Sequence, residues 1–435
     1  MKIFNILLIL LLVVASSEAA GLSTAPPADS PADPAVNLVT LQQAALENRE
    51  VIDRFRVNLE QAGKNLVIAR SGYQPSLDFA YTVNTLNDGG LNTFETSPNS
   101  LARAAVSLNL FAGFRDKYNI RSAELLRRAE EHRLTGLGQD IRLNVALLYL
   151  TIYDSRSRLT VAEDQHATLE KIYRDAVNRF EVGLIDKNEL LRFKVDLDNA
   201  AISHRQARAE LDKNLQLLKR EIDAEVELER LTFDEFDDLP ALADGEEQYR
   251  ADMLENRSEI RTLEEVARAA DLAVGIEHAA YYPRLDLVGS YSRFEDAVLS
   301  GSGDDGIDEV RGQVVLSMNL YDGRAKRHRE ARAALEARGV RLDLAELQKD
   351  LTTQLTNLFL DYRVNVDNTG AALAGIEQAE ENLRITRLKY EQGLQRESDL
   401  LDAIANLSRA RSNFVTAKTR VFANYFQIER MAERP

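Results

Sequence analysis

The chain of 435 residues contains no cysteine, no tryptophan and only nine prolines. Without thiols it can form no disulfide, hold no thiolate-bound metal and use no cysteine nucleophile. Its histidines are few and scattered, with none of the paired spacings of metalloenzymes such as HExxH. They are His132, His166, His204, His278 and His328. A glycine-rich phosphate loop is also missing, so we predict no catalytic residue, no cofactor and no metal site.

Positive charge is in deficit, with a formal net charge of −16 and a pI near 5.0. Because phosphate binding requires basic patches, this composition argues against nucleic acid as a partner. The one long apolar run, residues 3–15, follows Lys2 and precedes small residues, which predicts a cleaved signal peptide at 1–19. That run is shorter than the ~20 residues that cross a bilayer as a helix. The mature chain is therefore expected to be either soluble and exported or a β-barrel.

An internal repeat organises the rest of the sequence, since four motifs return in the same order about 210 residues later. They are LENR (46–49 and 254–257), YQPSLD with YYPRLD (73–78 and 281–286), LNLFAG with MNLYDG (108–113 and 318–323), and RFEVGL with KYEQGL (179–184 and 389–394). This similarity indicates two copies of one structural unit. We place the copies at 38–222 and 246–430, with a Pro/Ala-rich tail at 20–37, an acidic connector at 223–245 and a C-terminal tail at 431–435.

Periodicity changes along each copy. Helical spacing of apolar residues over 38–72 and 246–281 predicts one helix in each copy before a strand-favouring proline. Segments 74–112 and 283–321 then alternate polar and apolar residues around a turn-rich loop, which predicts two β-hairpins. The last predicted strand includes Met318 and Leu320.

Long proline-free helical runs, about 114–181 and 324–391, follow the hairpins. At 1.5 Å per residue each would be roughly 100 Å long, which predicts coiled-coil-like packing. Each run ends at a Gly-Leu turn, Gly183-Leu184 or Gly393-Leu394, before a returning helix. The predicted fold class is therefore mainly α with transmembrane β, built from a duplicated helix, β-hairpin and long helical hairpin.

Strands of about ten residues with one apolar face are typical of outer-membrane barrels. Four strands cannot close, since the smallest known transmembrane barrels have about eight, and an open sheet edge is not tolerated in lipid. The chain must therefore oligomerise if it spans the membrane, and three copies would supply twelve strands. The polar strand residues expected to line a watery lumen are Asp78, Asn109, Asp286, Arg311 and Asn319.

The duplicated plan, the YxPxLD and NLF-AG/NLY-DG motifs and the two Gly-Leu turns resemble the TolC family over nearly the whole mature chain. The resemblance implies a homotrimer with a twelve-stranded barrel in outer-membrane lipid, continued by a periplasmic α-helical barrel. It implies the passive exit duct of a tripartite efflux system, working with a periplasmic adaptor (membrane fusion protein) and an inner-membrane pump of the exchanger or ABC type. Type I protein secretion through the same duct and a soluble periplasmic coiled-coil tether remain open alternatives.

The same resemblance implies site residues at the tunnel entrance. Asp399 and Asp402 match the family's two gate aspartates, whose rings in a trimer would concentrate cations and bind a blocking multivalent ion. Tyr390 matches the tyrosine of a closing link, with Glu189 in the place of its acidic partner and Asn188 in that of a neighbouring hydroxyl residue. Gln395 stands where an arginine is often found and Arg396 follows it, which leaves the closing network weaker or rewired. The tips expected to dock an adaptor are Val182, Gly183, Leu184, Gly393 and Leu394.

Overall fold

A computed structural model describes residues 36–85, 99–295 and 306–434. The predicted signal peptide at 1–19, the tail up to residue 35 and most of the two loops within the β-hairpins lie outside the described residues. The first half contains α1 (Leu38–Asn48), α2 (Glu50–Ser71), β1 (Ser76–Asn84), β2 (Asn99–Ala112), α3 (Arg115–Glu181) and α4 (Lys187–Ile222). The second half contains α5 (Glu246–Asn256), α6 (Ser258–His278), β3 (Arg284–Glu295), β4 (Ile307–Ser317), α7 (Ala325–Glu391) and α8 (Glu397–Ala432). The same elements therefore occur in the same order in both halves.

The long helices predicted from the sequence are present. Helices α3 and α7 contain 67 residues each, which corresponds to about 100 Å at the α-helical rise. Each turns back at its Gly-Leu pair into a helix of 36 residues, α4 or α8, and packs along it. Within the described ranges, no helix is long and apolar enough to cross a membrane.

The first helix of each copy is broken, where the sequence pattern predicted one continuous helix. Arg49 and Arg257, the last residues of the two LENR motifs, have extended backbone with ψ of 122° and 123°. Both arginines reach the end of a returning helix, because Arg49 pairs with Glu221 of α4 and Arg257 donates to the main-chain oxygen of Arg430 at 3.1 Å. A break of one residue barely changes the helical spacing of apolar residues, so periodicity missed it.

The four strands form one antiparallel sheet in the order β1-β2-β3-β4. Its register places Leu77 opposite Val106 and Tyr291 opposite Val310, so one apolar face runs across all four strands. The predicted alternation is thus confirmed.

The end of the last strand differs from the prediction. Strand β4 ends at Ser317, so Met318, Asn319 and Leu320 lie in the connection to α7 and not in the hairpin. The main-chain oxygen of Asn319 accepts a hydrogen bond from Lys326, which ties this connection to the first turn of α7 instead of to strand β3.

Each long helix begins directly after a tight left-handed turn. Gly113 and Phe114 have φ of 64° and 70° before α3, and Gly323 and Arg324 have φ of 69° and 71° before α7. A Cβ on Gly113 would lie 2.5 Å from the main-chain oxygen of Ala279. Both the backbone conformation and the available space therefore require glycine at this position.

The acidic connector between the copies packs into the core. The Phe233 and Phe236 rings lie 4.9 Å and 5.4 Å from the ring of Tyr149 in α3, and Phe236 is fully buried. Val36 and Leu231 form a parallel bridge that holds the start of the described chain against the connector. One apolar core thus joins the connector to α1, α3 and α4, and a second core joins α5 and α7 to the end of α8.

An ion cluster fixes the C-terminal end of α8 to both halves. The Arg430 side chain is only 4% exposed and pairs with Asp140 of α3 at 2.8 Å, Glu259 of α6 at 2.8 Å, and Glu433. Glu433 also accepts a hydrogen bond from the main-chain N–H of Ser258 at 3.1 Å. Several opposite charges offset the desolvation of the buried guanidinium, and removing Arg430 would leave the buried Glu433 carboxylate, which is 4% exposed, without its charged partner.

Candidate functional site

The turn of the α3–α4 hairpin and the turn of the α7–α8 hairpin are held side by side by a third apolar cluster. Its buried members are Leu169, Ile172, Ala176, Phe193, Leu197, Ala200, Leu400 and Ile404. They come from α3, α4 and α8, and Tyr390 at the end of α7 packs against them. Polar side chains at this end of the helices are therefore carried on a packed scaffold.

Tyr390 joins the second helical hairpin to the first. Its ring packs edge-on against Phe193 with centroids 6.0 Å apart, and its hydroxyl donates to Oε1 of Glu189 in α4 at 2.7 Å. Burial, followed by the adjacent Glu189 carboxylate, raises the pKa of Tyr390, so the hydroxyl keeps its proton at neutral pH. The contact implied by the family resemblance is thus present in the structure.

Two arginines that sequence reasoning missed lie beside this link. The Arg179 guanidinium sits 5.2 Å from the centre of the Tyr390 ring. Nη1 of Arg192 in α4 pairs with Oε1 of Glu397 in α8 at 2.7 Å and adds another bond between the hairpins near their turns. Arg192 follows Glu189 by three residues and so lies on the same helix face, which is the signal that could have identified it.

The other predicted entrance residues are not bonded to the Tyr390–Glu189 pair. Asp399 is in the first turn of α8 and accepts a hydrogen bond from the main-chain N–H of Arg396 at 3.4 Å, in the manner of half a capping box. Asp402, one turn later, is exposed, as are the side chains of Arg396 and Asn188. The structure therefore brings Tyr390 and Glu189 together and gives Asp399 a helix-capping contact.

Asp196 of α4 is a further carboxylate at this end that the sequence did not single out. Burial, followed by the negative charge of Asp402, raises the pKa of Asp196. The two carboxylates therefore lie within electrostatic range across the α4–α8 contact. Asp196 is seven residues, about two turns, after Glu189 on the same helix face, but its proximity to Asp402 depends on how the helices pack.

The turns of the two helical hairpins have the same backbone geometry. Gly183 and Gly393 have φ of 76° and 70°, and the following leucine N–H groups donate to Arg179 and Lys389 main-chain oxygens at 2.8 Å and 2.9 Å. This is the Schellman pattern of helix C-termini, in which the residue after glycine usually packs back on the helix. Here that residue stays exposed, with Leu184 and Leu394 each 73% accessible and the neighbouring Val182 71%. Both turns thus present apolar side chains to the outside.

At the opposite end of the long helices, the apolar face of the sheet is open. Leu77 and Phe79 of β1 are each 74% exposed, and Val310 of β4 is 84% exposed. A continuous apolar face of this kind is unfavourable in water and suits contact with hydrocarbon.

Comparison with known proteins gives this arrangement a family. The family model described as "Outer membrane efflux protein" matches the chain twice, over residues 41–222 and 250–432. The chain belongs to the outer membrane efflux protein family. The two matched segments of this efflux protein correspond to its two helix, hairpin and helical-hairpin halves.

Individual relatives agree with this assignment. The outer membrane protein TolC of Escherichia coli is 22% identical over 413 residues, covering 89% of this chain and 80% of TolC. The outer membrane efflux protein BepC of Brucella suis is 20% identical over 387 residues, covering 86% of this chain and 81% of BepC. The solved structure of the Campylobacter jejuni CmeC outer membrane channel superposes with a TM-score of 0.77 at 15% identity, covering 97% and 93% of the two chains.

These similarities confirm the predicted resemblance and localisation. The efflux protein is an outer-membrane protein with a periplasmic helical domain, and its fold is that of TolC-like channels. The sheet is accordingly the membrane-embedded part, and the turns of the two helical hairpins lie at the periplasmic end.

Proposed function

We propose that three copies of this efflux protein close into one channel, with a twelve-stranded barrel in the outer membrane and an α-helical tunnel in the periplasm. The observation that carries this proposal is the four-stranded sheet, whose outer strands β1 and β4 each have one neighbour within the described chain. Unpaired strand edges are not tolerated in hydrocarbon, and ring closure removes them. Pairing β4 of one copy with β1 of the next gives every strand two neighbours.

The polar face of the sheet supports three copies over two. Eight strands make a barrel that side chains nearly fill, whereas twelve leave room for a lumen. Asp78, Ser290 and Arg311 lie on the face opposite the apolar one and would line that lumen.

Exposed leucines on the helices support contacts between copies below the barrel. Leu335 and Leu342 of α7 are 66% and 61% exposed although they are large and apolar. They lie seven residues apart, which is the spacing of a coiled-coil seam. A neighbouring copy packed along α7 would remove both from water.

The channel is an exit duct in a tripartite efflux system and conducts drugs, metals or other toxic solutes passively from an inner-membrane pump. Its carboxylates at the periplasmic end, Asp196, Asp399 and Asp402, would form acidic rings that favour cations. The Tyr390–Glu189 and Arg192–Glu397 bonds would hold the hairpins together and keep the entrance narrow.

The exposed hairpin turns are the proposed docking points for a periplasmic adaptor. Leu184 and Leu394 each enter an apolar groove on the adaptor, because the helices that these turns connect leave both side chains uncovered. Changing both to aspartate should abolish co-purification with the adaptor, whereas Leu191→Asp, at a half-exposed site on α4, should not. Retained co-purification by the double variant would exclude the turns as the docking site.

The channel itself is tested by the mass of the detergent-purified protein and by single-channel conductance in a planar bilayer. A trimeric mass with small, cation-preferring conductance is the expected result. A monomer that never inserts would refute the closed barrel, and a dimer that conducts would refute the twelve-stranded one.

A further inference from the structure

We infer that this efflux protein carries a basic collar at the base of its barrel that binds the headgroups of anionic phospholipids in the periplasmic leaflet. The collar consists of Arg115, Lys117, Arg121, Arg324 and Arg327, all exposed. The inference uses the outer-membrane location of the chain and does not depend on the proposed transport role.

The collar reverses the charge of the chain at one level of the structure. The protein has a formal net charge of −16, yet residues 322–332 contain five lysines and arginines against two carboxylates. Residues 115–121 add three lysines and arginines against one carboxylate. In a chain with a net negative charge, this local excess of positive charge at the start of both long helices is a candidate binding surface.

The position of the collar is set by the chain itself. Strand β2 ends at Ala112 and α3 begins at Arg115, while β4 ends at Ser317 and α7 begins at Ala325. The basic residues are therefore within about two helical turns of the end of the membrane-embedded sheet, at the depth of the lipid headgroups.

Aromatic side chains mark the same level. Phe111 and Phe114 contact each other edge-on at 5.2 Å, and Phe114 contacts Tyr282 at 6.1 Å. Phe114, Tyr282 and Tyr321 are 50%, 44% and 78% exposed. Exposed aromatic rings at the end of barrel strands are typical of the membrane–water interface.

The nearby carboxylates contact groups outside the collar. Asp116 accepts from Asn109, Glu124 pairs with Arg128 at 3.2 Å, and Glu330 pairs with His278 at 3.0 Å. Among the residues that the structure describes, the collar side chains form no ion pair.

The collar is also placed against the electrostatic preference of its helices. Arg324 is the N-cap residue of α7, and the other four lie in the first two turns of α3 and α7. The chain places Asp116 in the first turn of α3, and Asp322 accepts from the main-chain N–H of Lys326 at 3.0 Å. The helix macrodipole makes cations unfavourable at this end, and these two carboxylates face five basic residues, so a further anion is favoured there. A phosphodiester headgroup supplies that anion at the depth where the collar lies, and basic residues near an anionic leaflet favour its lipids.

The absence of tryptophan allows a direct test. Tyr321→Trp introduces a single fluorescent reporter at the base of the barrel, three residues from Arg324. The full-length protein is reconstituted in vesicles containing either brominated phosphatidylglycerol or brominated phosphatidylcholine, and quenching of the tryptophan is compared. At low salt we expect at least about a fivefold preference for the anionic lipid, because one basic residue near an anionic surface contributes about 1 kcal/mol. The preference should fall in 1 M salt, which screens this attraction.

Matched variants assign the effect to the collar. A triple variant should show equal quenching by the two lipids when it carries Arg115→Gln, Arg324→Gln and Arg327→Gln. Lysine at the same three positions should restore the preference for the anionic lipid. The control triple removes the same charge from exposed arginines without ion pairs in the described chain, at Arg205, Arg338 and Arg363, and should keep the preference.

Equal quenching by the two brominated lipids in the protein with an intact collar would overturn the inference. So would a preference for the anionic lipid that survives the triple glutamine substitution. Loss of the preference on adding inorganic phosphate at constant ionic strength would also overturn it, since the collar would then be a site for free phosphate. Insertion and conductance of the same samples report separately on the channel.

Discussion

Replacing Tyr390 with phenylalanine tests the proposal that the Tyr390–Glu189 hydrogen bond keeps the periplasmic entrance narrow. The change removes only the hydroxyl that donates to Glu189 at 2.7 Å and keeps the ring against Phe193. A hydrogen bond to a charged group contributes about 1.5–3 kcal/mol, which is about a 10- to 150-fold shift toward the open state for each copy. If three copies open together, the shift becomes about 4.5–9 kcal/mol in total.

The assay is single-channel conductance of purified protein in planar bilayers at neutral pH. We expect Tyr390→Phe to raise the conductance or the fraction of time spent open, and addition of Arg192→Gln to raise it further. The second increment should be small, about 0.2–1 kcal/mol per copy, because Arg192 is 62% exposed.

A matched control is Tyr173→Phe. Tyr173 lies in the same coiled region, its ring is contacted by the Lys194 amine at 5.6 Å, and its hydroxyl has no partner among the residues described. Its loss should leave conductance unchanged. If Tyr390→Phe also conducts like the unchanged protein, the Tyr390–Glu189 bond does not hold the entrance.

The remaining predictions concern charge. Asp399→Ala with Asp402→Ala should weaken block by trivalent cations in the same bilayer assay, and unchanged block would remove both from the ion site. Arg430→Met should lower the free energy of unfolding in detergent by about 3–5 kcal/mol because it leaves Glu433 buried without its partner, and an unchanged denaturation midpoint would contradict this. The raised pKa of Asp196 means that folding favours its protonated form, so this group adds stability as pH falls through its folded-state pKa and costs stability above it. Asp196→Asn should therefore raise thermal stability at neutral pH and flatten its pH dependence between pH 4 and neutrality; equal pH profiles would refute the coupling.

Local pattern alone identified most of the architecture. The alternation of apolar and polar residues fixes which face of a strand is buried in lipid, and a proline-free periodic run fixes a long helix, because both depend on neighbours in sequence. The repeated motifs located both halves, and the Gly-Leu pairs located both turns. The family resemblance further pointed to Tyr390 and Glu189, which the structure places 2.7 Å apart.

Other features depended on the packing of distant segments. The breaks at Arg49 and Arg257 are made where each arginine reaches the end of a returning helix, far away in the chain. The proximity of Asp196 to Asp402 and the Arg192–Glu397 pair arise only where α4 and α8 meet. Sequence periodicity reports which face of an element is apolar, whereas the partner of a charged side chain is decided by how the elements pack. For this reason the sequence determined the elements and their order, and only the tertiary structure decided which charges meet.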